Sequence, residues 1–158
     1  MSHPALNPRA AQETQQIVVD EVFHASPEKI WKALTEASLM ARWIMAPAGF
    51  AAVKGTRFTF QTKPAGAWDG TINCEVLEAV PNQRLSYSWK SGDAGNVGYG
   101  APLDTIVTFT LTKVEIGTRL RLVHAGFILP KNETAYTSMG EGWKKCFPKL
   151  DTLTHDEP

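Results

Sequence analysis

The sequence predicts an α+β fold in which a curved antiparallel β-sheet wraps around one long C-terminal α-helix, with two short helices after the first strand. Three observations lead there. A helix-start signal, Ser26-Pro27-Glu28, follows the first β-branched run directly. Runs of alternating apolar residues then recur between turn residues, from Thr56 to Phe127. The chain closes on Asn132 to Asp156, where apolar residues return at helical spacing.

The elements follow in order. QQIVVDEVFHA (Gln15 to Ala25) is rich in β-branched and aromatic residues and reads as strand one. It stops at SPEKIWKALTE. Ser26 is a good N-cap, Pro27 fits the first helical position, and Glu28 suits the positive end of the helix. Ile30, Trp31 and Leu34 share one face. A second short helix, Ser38 to Met45, sets Leu39 and Trp43 one turn apart, and Pro47 ends it.

Strands come next. TRFTFQT (Thr56 to Thr62) alternates Phe58 and Phe60 with polar residues. GTINCEVLEAV (Gly70 to Val80) begins at Asp69-Gly70, a hairpin signal. RLSYSWK (Arg84 to Lys90) puts Leu85, Tyr87 and Trp89 on one face, and DTIVTFTLTKV (Asp104 to Val114) does the same for Val107, Phe109 and Leu111. TRLRLVHAGF (Thr118 to Phe127) places Leu120, Leu122 and His124 opposite Arg119 and Arg121. The short connections imply antiparallel pairing, with one face covered and a polar outer face of Thr, Arg and Ser.

In the final helix, Ala135, Tyr136, Met139, Trp143, Cys146, Phe147, Leu150 and Leu153 fall within a stripe about 120° wide. Pro148 lies nearly opposite. A proline there bends a helix convex toward solvent, so the helix is expected to run through it. Gly140 and Gly142 flank the stripe, where they permit close backbone approach or a small opening.

A length of 158 residues suits one domain, here residues 15–156, after a flexible tail over residues 1–14 with Pro4 and Pro8. Sixteen basic and sixteen acidic residues cancel, so no nucleic-acid partner is expected. No apolar run is long enough to span a membrane, and the N-terminus lacks the apolar core of a secretory signal. Cys74 and Cys146 form no CxxC or Cys/His cluster. No metal or cofactor is expected, and a cytoplasmic location with reduced thiols is. A homodimer is compatible with the sequence.

In this order, FHASPEKIWKALTEASLMARW, GTRFTF, EVLEAVPNQRLSYSWK, TRLRLVHAGF and GWKKCFPKLDTL make the chain resemble the SRPBCC (START-like, helix-grip) superfamily. Within it, the chain is similar to the branch named after the C-terminal domain of the activator of heat-shock protein 90 ATPase. The resemblance implies a helix-grip fold with a hydrophobic cavity between sheet and helix. The eukaryotic co-chaperone of that branch carries an additional N-terminal domain that makes much of its chaperone contact. Here about fifteen residues precede strand one, so a chaperone partner is not expected.

Trp43, Phe58, Phe60, Tyr87, Trp89, Phe109, Trp143 and Phe147 come from different elements yet point to one interior. Each is placed for ordinary core, and together they suit the lining of a cavity for an amphipathic ligand. Cys74, Met139 and His124 join this expected lining, as does Trp68, a loop tryptophan placed to cap a pocket mouth. SGDAGNVGYGAP (Ser91 to Pro102) is a glycine-rich loop that matches no phosphate-binding motif and could serve as a lid.

These residues predict non-catalytic binding of a small hydrophobic or amphipathic molecule, lipid-like or polyketide-like. One alternative is a cyclase or dehydratase using His124 or Glu21 as acid/base. Another is a chaperone-associated interaction protein. No catalytic residue is assigned.

Overall fold

A computed structural model describes residues 14–155. The expected tail therefore lies outside the described residues, except for Thr14, which opens the first strand. The sheet has six strands: β1 (Thr14–Phe23), β2 (Arg57–Gln61), β3 (Thr71–Val80), β4 (Arg84–Ser91), β5 (Leu103–Val114) and β6 (Gly117–Ile128). Their spatial order is β1-β6-β5-β4-β3-β2, with every neighbouring pair antiparallel. Chain neighbours from β2 to β6 are thus joined by hairpins. The first strand closes against the last.

Because β1 and β2 occupy opposite edges, the intervening chain must cross the sheet. Helices α1 (Pro27–Thr35) and α2 (Ala37–Trp43) make that crossing and pack against the C-terminal helix α3 (Glu133–Thr154). The N-cap of α1 is the expected one: Lys29 N donates to Ser26 Oγ at 3.2 Å. Helix α2 ends at Trp43, two residues short of Met45. That frees Ile44 and Met45 from the helix. Its apolar contact comes from Met40 and Trp43, not Leu39.

Period-two alternation sets the inner face. Leu103, Thr105, Val107, Phe109 and Leu111 of β5 are buried, as are Leu120, Leu122 and His124 of β6. Gly70 opens β3 at φ +88°, and a Cβ there would run into the carbonyl oxygen of Thr62, so the turn requires glycine.

The outer face differs from expectation. It does carry Arg119 and Arg121, which hold Asp20 between them at 2.7 and 3.1 Å. The Arg119 hydrogen bond, with help from Arg121, holds the Asp20 carboxyl below its ordinary range. However, Val18, Val22 and Ile106 are also exposed there, at 41%, 47% and 43%. Alternation aims the other β-branched residues of β1 outward once Ile17 and Val19 point in.

Helix α3 runs unbroken through Pro148, which faces solvent. Trp143, Phe147 and Leu150 are buried beneath it. Each such burial contributes about 1.5–3 kcal/mol. Together they offset the roughly 3 kcal/mol that an interior proline costs. The stripe is not uniform along its length: Ala135, Tyr136 and Met139, in the first half, are only partly buried.

Candidate functional site

That difference along α3 marks a cavity. Between the first half of α3 and the β2–β4 end of the sheet lies a space of about 290 Å³. Ile44 and Met45 reach it from the segment after α2, Trp68 and Ile72 from the β2–β3 hairpin, and Trp89 from β4. Tyr99 comes from the glycine-rich loop, and Met139, Gly142, Trp143 and Cys146 from α3. A Cβ built on Gly142 would meet nothing within 4 Å, so this glycine leaves an opening and serves no close approach. A Cβ on Gly140 would likewise meet nothing, but Gly140 does not line the cavity.

Two loops meet at the cavity. Asn96 Nδ2 donates to Ala65 O at 2.6 Å, and Ala67 N donates to Asn96 Oδ1 at 3.1 Å. Trp68 meets Tyr99 edge to face, with ring centroids 5.9 Å apart, while its Nε1 donates to Thr71 O at 2.9 Å. The stretch Ser91 to Pro102 thus sits beside the cavity, tied to the neighbouring hairpin.

Behind the cavity wall runs a hydrogen-bonded chain. Trp143 Nε1 donates to His124 Nδ1 at 3.0 Å. Since Nδ1 accepts, the neutral ring carries its proton on Nε2, which lies 2.8 Å from Thr105 Oγ1 and donates to it. Thr105 Oγ1 donates in turn to the main-chain oxygen of Trp89 at 2.9 Å. His124 is 0% exposed, and burial pushes its pKa down to about 3. Its role in this arrangement is to pin the helix to the sheet.

The acid/base alternative is therefore corrected on both residues. His124 has both ring nitrogens engaged and does not line the cavity. Glu21 is exposed on the edge strand β1, although alternation puts it on the same side as Val19 and Phe23.

Of the twelve residues expected at the cavity, Trp68, Trp89, Met139 and Trp143 line it. The other eight pack in the filled core or support it. Phe58 stands at the centre of an aromatic cluster, 5.5 Å from Phe60 and 5.2 Å from Tyr87 by ring centroid. Trp43 meets Phe109 at 6.1 Å and sends its N–H to Ala33 O. Phe147 packs on Phe23 at 5.7 Å. Cys74 is buried with its thiol pushed up to about 12, and His124 lies in the chain just described. Burial also raises the Tyr87 hydroxyl, and both cysteines contribute to that shift. Sequence reasoning missed Ile44, Met45, Ile72 and Tyr99. An aromatic residue inside a glycine-rich loop was the available signal for Tyr99.

Among the described residues that line the cavity, none is Asp, Glu, Lys, Arg or His. Among the described residues, no group of three or more His, Cys, Asp or Glu is placed to hold a metal ion, and no helix is long and apolar enough to cross a membrane.

Comparison with known proteins gives a consistent picture. Residues 24–155 match the family model described as activator of Hsp90 ATPase homolog 1-like protein. The mouse activator of 90 kDa heat shock protein ATPase homolog 1 is 26% identical over 136 residues, 85% of this chain and 35% of that protein. The human protein matches to the same extent. The chain thus spans about a third of the length of the curated relatives it matches. Among solved structures, protein MLL2253 from Mesorhizobium loti is 36% identical, with a TM-score of 0.75 over 88% of this chain and 96% of that one. The Aha1 dimer from Colwellia psychrerythraea, 23% identical, shares the fold with a TM-score of 0.68 over 89% of this chain and 96% of that one.

The expectation that a chaperone partner is not to be sought is overturned by these matches. It rested on the short stretch before β1, whereas the family-model match lies in residues 24–155.

Proposed function

The chain belongs to the family of activator of Hsp90 ATPase homolog 1-like proteins, and from that premise we propose that it is an interaction protein whose partner is a 90 kDa heat-shock protein ATPase. The match over residues 24–155 carries this reading. The exposed Val18 and Val22, which flank the ion-paired Asp20 on the edge strand β1, support it, since apolar side chains beside a polar group suit a protein contact. Isothermal titration against the purified chaperone, with its ATPase rate followed in parallel, tests it. Binding is expected, with or without stimulation. No heat of binding and an unchanged rate would remove the reading.

The cavity favours a second reading for the same domain: a site for a small hydrophobic or amphipathic molecule. Its walls are mostly apolar, none of its lining residues is Asp, Glu, Lys, Arg or His, and its volume is near the lower end of small-molecule sites, roughly 300–1,000 Å³. Within this reading Trp68, Trp89, Met139 and Trp143 touch the ligand. A thermal-shift screen across neutral and charged hydrophobic probes tests it, with upward shifts expected for neutral probes alone.

A further inference from the structure

Resting on the reading of the cavity as a small-molecule site, we infer that its ligand is an uncharged aromatic molecule bearing a hydrogen-bond acceptor, and that the indole N–H of Trp89 binds that acceptor. The volume sets the size. A dry cavity of roughly 150 Å³ holds benzene, so about 290 Å³ suits a molecule of two fused rings. The walls set the shape: Trp68, Trp89, Trp143 and Tyr99 present flat ring surfaces. The lining sets the charge. A carboxylate or ammonium would enter a mostly apolar space where hydroxyls are present but no counter-ion is, so its desolvation goes uncompensated by charge.

Trp89 sets the polarity. The other buried tryptophans all spend their N–H inside the protein: Trp43 on Ala33 O, Trp68 on Thr71 O and Trp143 on His124 Nδ1. Trp89 is 4% exposed, and among the described residues its Nε1 is the one buried side-chain nitrogen or oxygen without a partner. Its ring neighbours Phe60, His124 and Trp143, at 5.6, 5.3 and 6.1 Å, offer no free acceptor. His124 has already committed both nitrogens. Buried indole N–H groups ordinarily find a partner. Nε1 has no accessible surface of its own, so the bond requires the Trp89 ring to turn toward the lumen as the ligand enters. Thr105 Oγ1 holds the main-chain oxygen of Trp89, so only the side chain needs to move.

The test titrates the ¹⁵N-labelled chain with naphthalene, 2-acetonaphthone and 2-naphthoate, following the indole N–H resonances. The three probes share a ring system and differ only in acceptor and charge. The ketone is expected to bind about fivefold tighter than the hydrocarbon, as one recovered hydrogen bond predicts, and the carboxylate weakest. The Trp89 indole resonance should move downfield with the ketone alone. In Trp89→Phe the ketone and the hydrocarbon should bind equally. Equal affinities in the wild-type chain, or a carboxylate that binds as well as the ketone, would overturn the inference while leaving the cavity reading intact. If no probe binds, or if Gly142→Leu leaves all affinities unchanged, the cavity reading falls and the inference with it. Should Trp89→Phe not fold, the wild-type affinity ratio and the resonance shift decide.

Discussion

The Nε1 of Trp143 donates to the Nδ1 of His124 at 3.0 Å, a hydrogen bond between the middle of α3 and the inner face of β6. It joins two buried side chains from the elements that define the grip, and it fixes the tautomer of the histidine. Trp143→Phe keeps a ring in place and leaves His124 Nδ1 buried without a donor. Urea denaturation should show a loss of about 1–3 kcal/mol. An unchanged midpoint would mean the bond is not made in solution.

The same histidine gives stability a pH dependence. Its folded pKa is depressed to about 3 against an ordinary 6.5, so between these values the unfolded chain binds a proton that the folded chain refuses. The contribution is complete above pH 6.5 and declines as pH falls toward 3. The slope approaches about 1.4 kcal/mol per pH unit in that window. The groups packed on the ring are Trp89, Phe127, Trp143 and Thr105, none of which changes charge in that range. Denaturation midpoints at pH 7 and pH 5 check this. Equal stability at both would show that His124 accepts its proton in the folded state.

Gly142 tests whether the opening beside α3 is real. A Cβ there meets open space, so Gly142→Ala gains the helix preference of alanine and loses nothing by contact. Thermal unfolding should show stabilisation of about 1 kcal/mol. Gly70→Ala should do the reverse, because its φ of +88° and the carbonyl of Thr62 both resist a side chain. If Gly142→Ala destabilises, the helix lies closer to the sheet than described.

Truncations should separate the two halves of α3. Phe147 is fully buried against Phe23, and Phe147→Ala should cost about 3–5 kcal/mol. Met139 is partly buried at the cavity edge, and Met139→Ala should cost no more than about 2 kcal/mol. Equal losses on denaturation would argue that the first half packs as tightly as the second.

Much of this was legible in the sequence. Alternation in RLSYSWK and DTIVTFTLTKV placed Leu85, Tyr87, Trp89, Val107 and Phe109 on the inner face, and the helical stripe placed Trp143, Phe147 and Leu150. The position of Pro148 on the outer side follows from the same stripe, since it lies nearly opposite. Periodicity tells which face a residue occupies, but not how far its element stands from the one opposite. That is why Phe58, Phe60 and Tyr87 looked like cavity lining when they fill the core, and why Tyr99 and Ile44 were missed. His124 was recognised as an inner-face residue. Its confinement by Trp143 and Thr105 depends on three elements meeting, which no local pattern encodes.

The account rests most heavily on the space between α3 and the sheet. A crystal structure under xenon pressure measures it directly. The account predicts a xenon site bordered by Trp89, Met139, Gly142 and Trp143, with those side chains unmoved. No bound xenon, with Met139 and Tyr99 turned inward to close the volume, would contradict it.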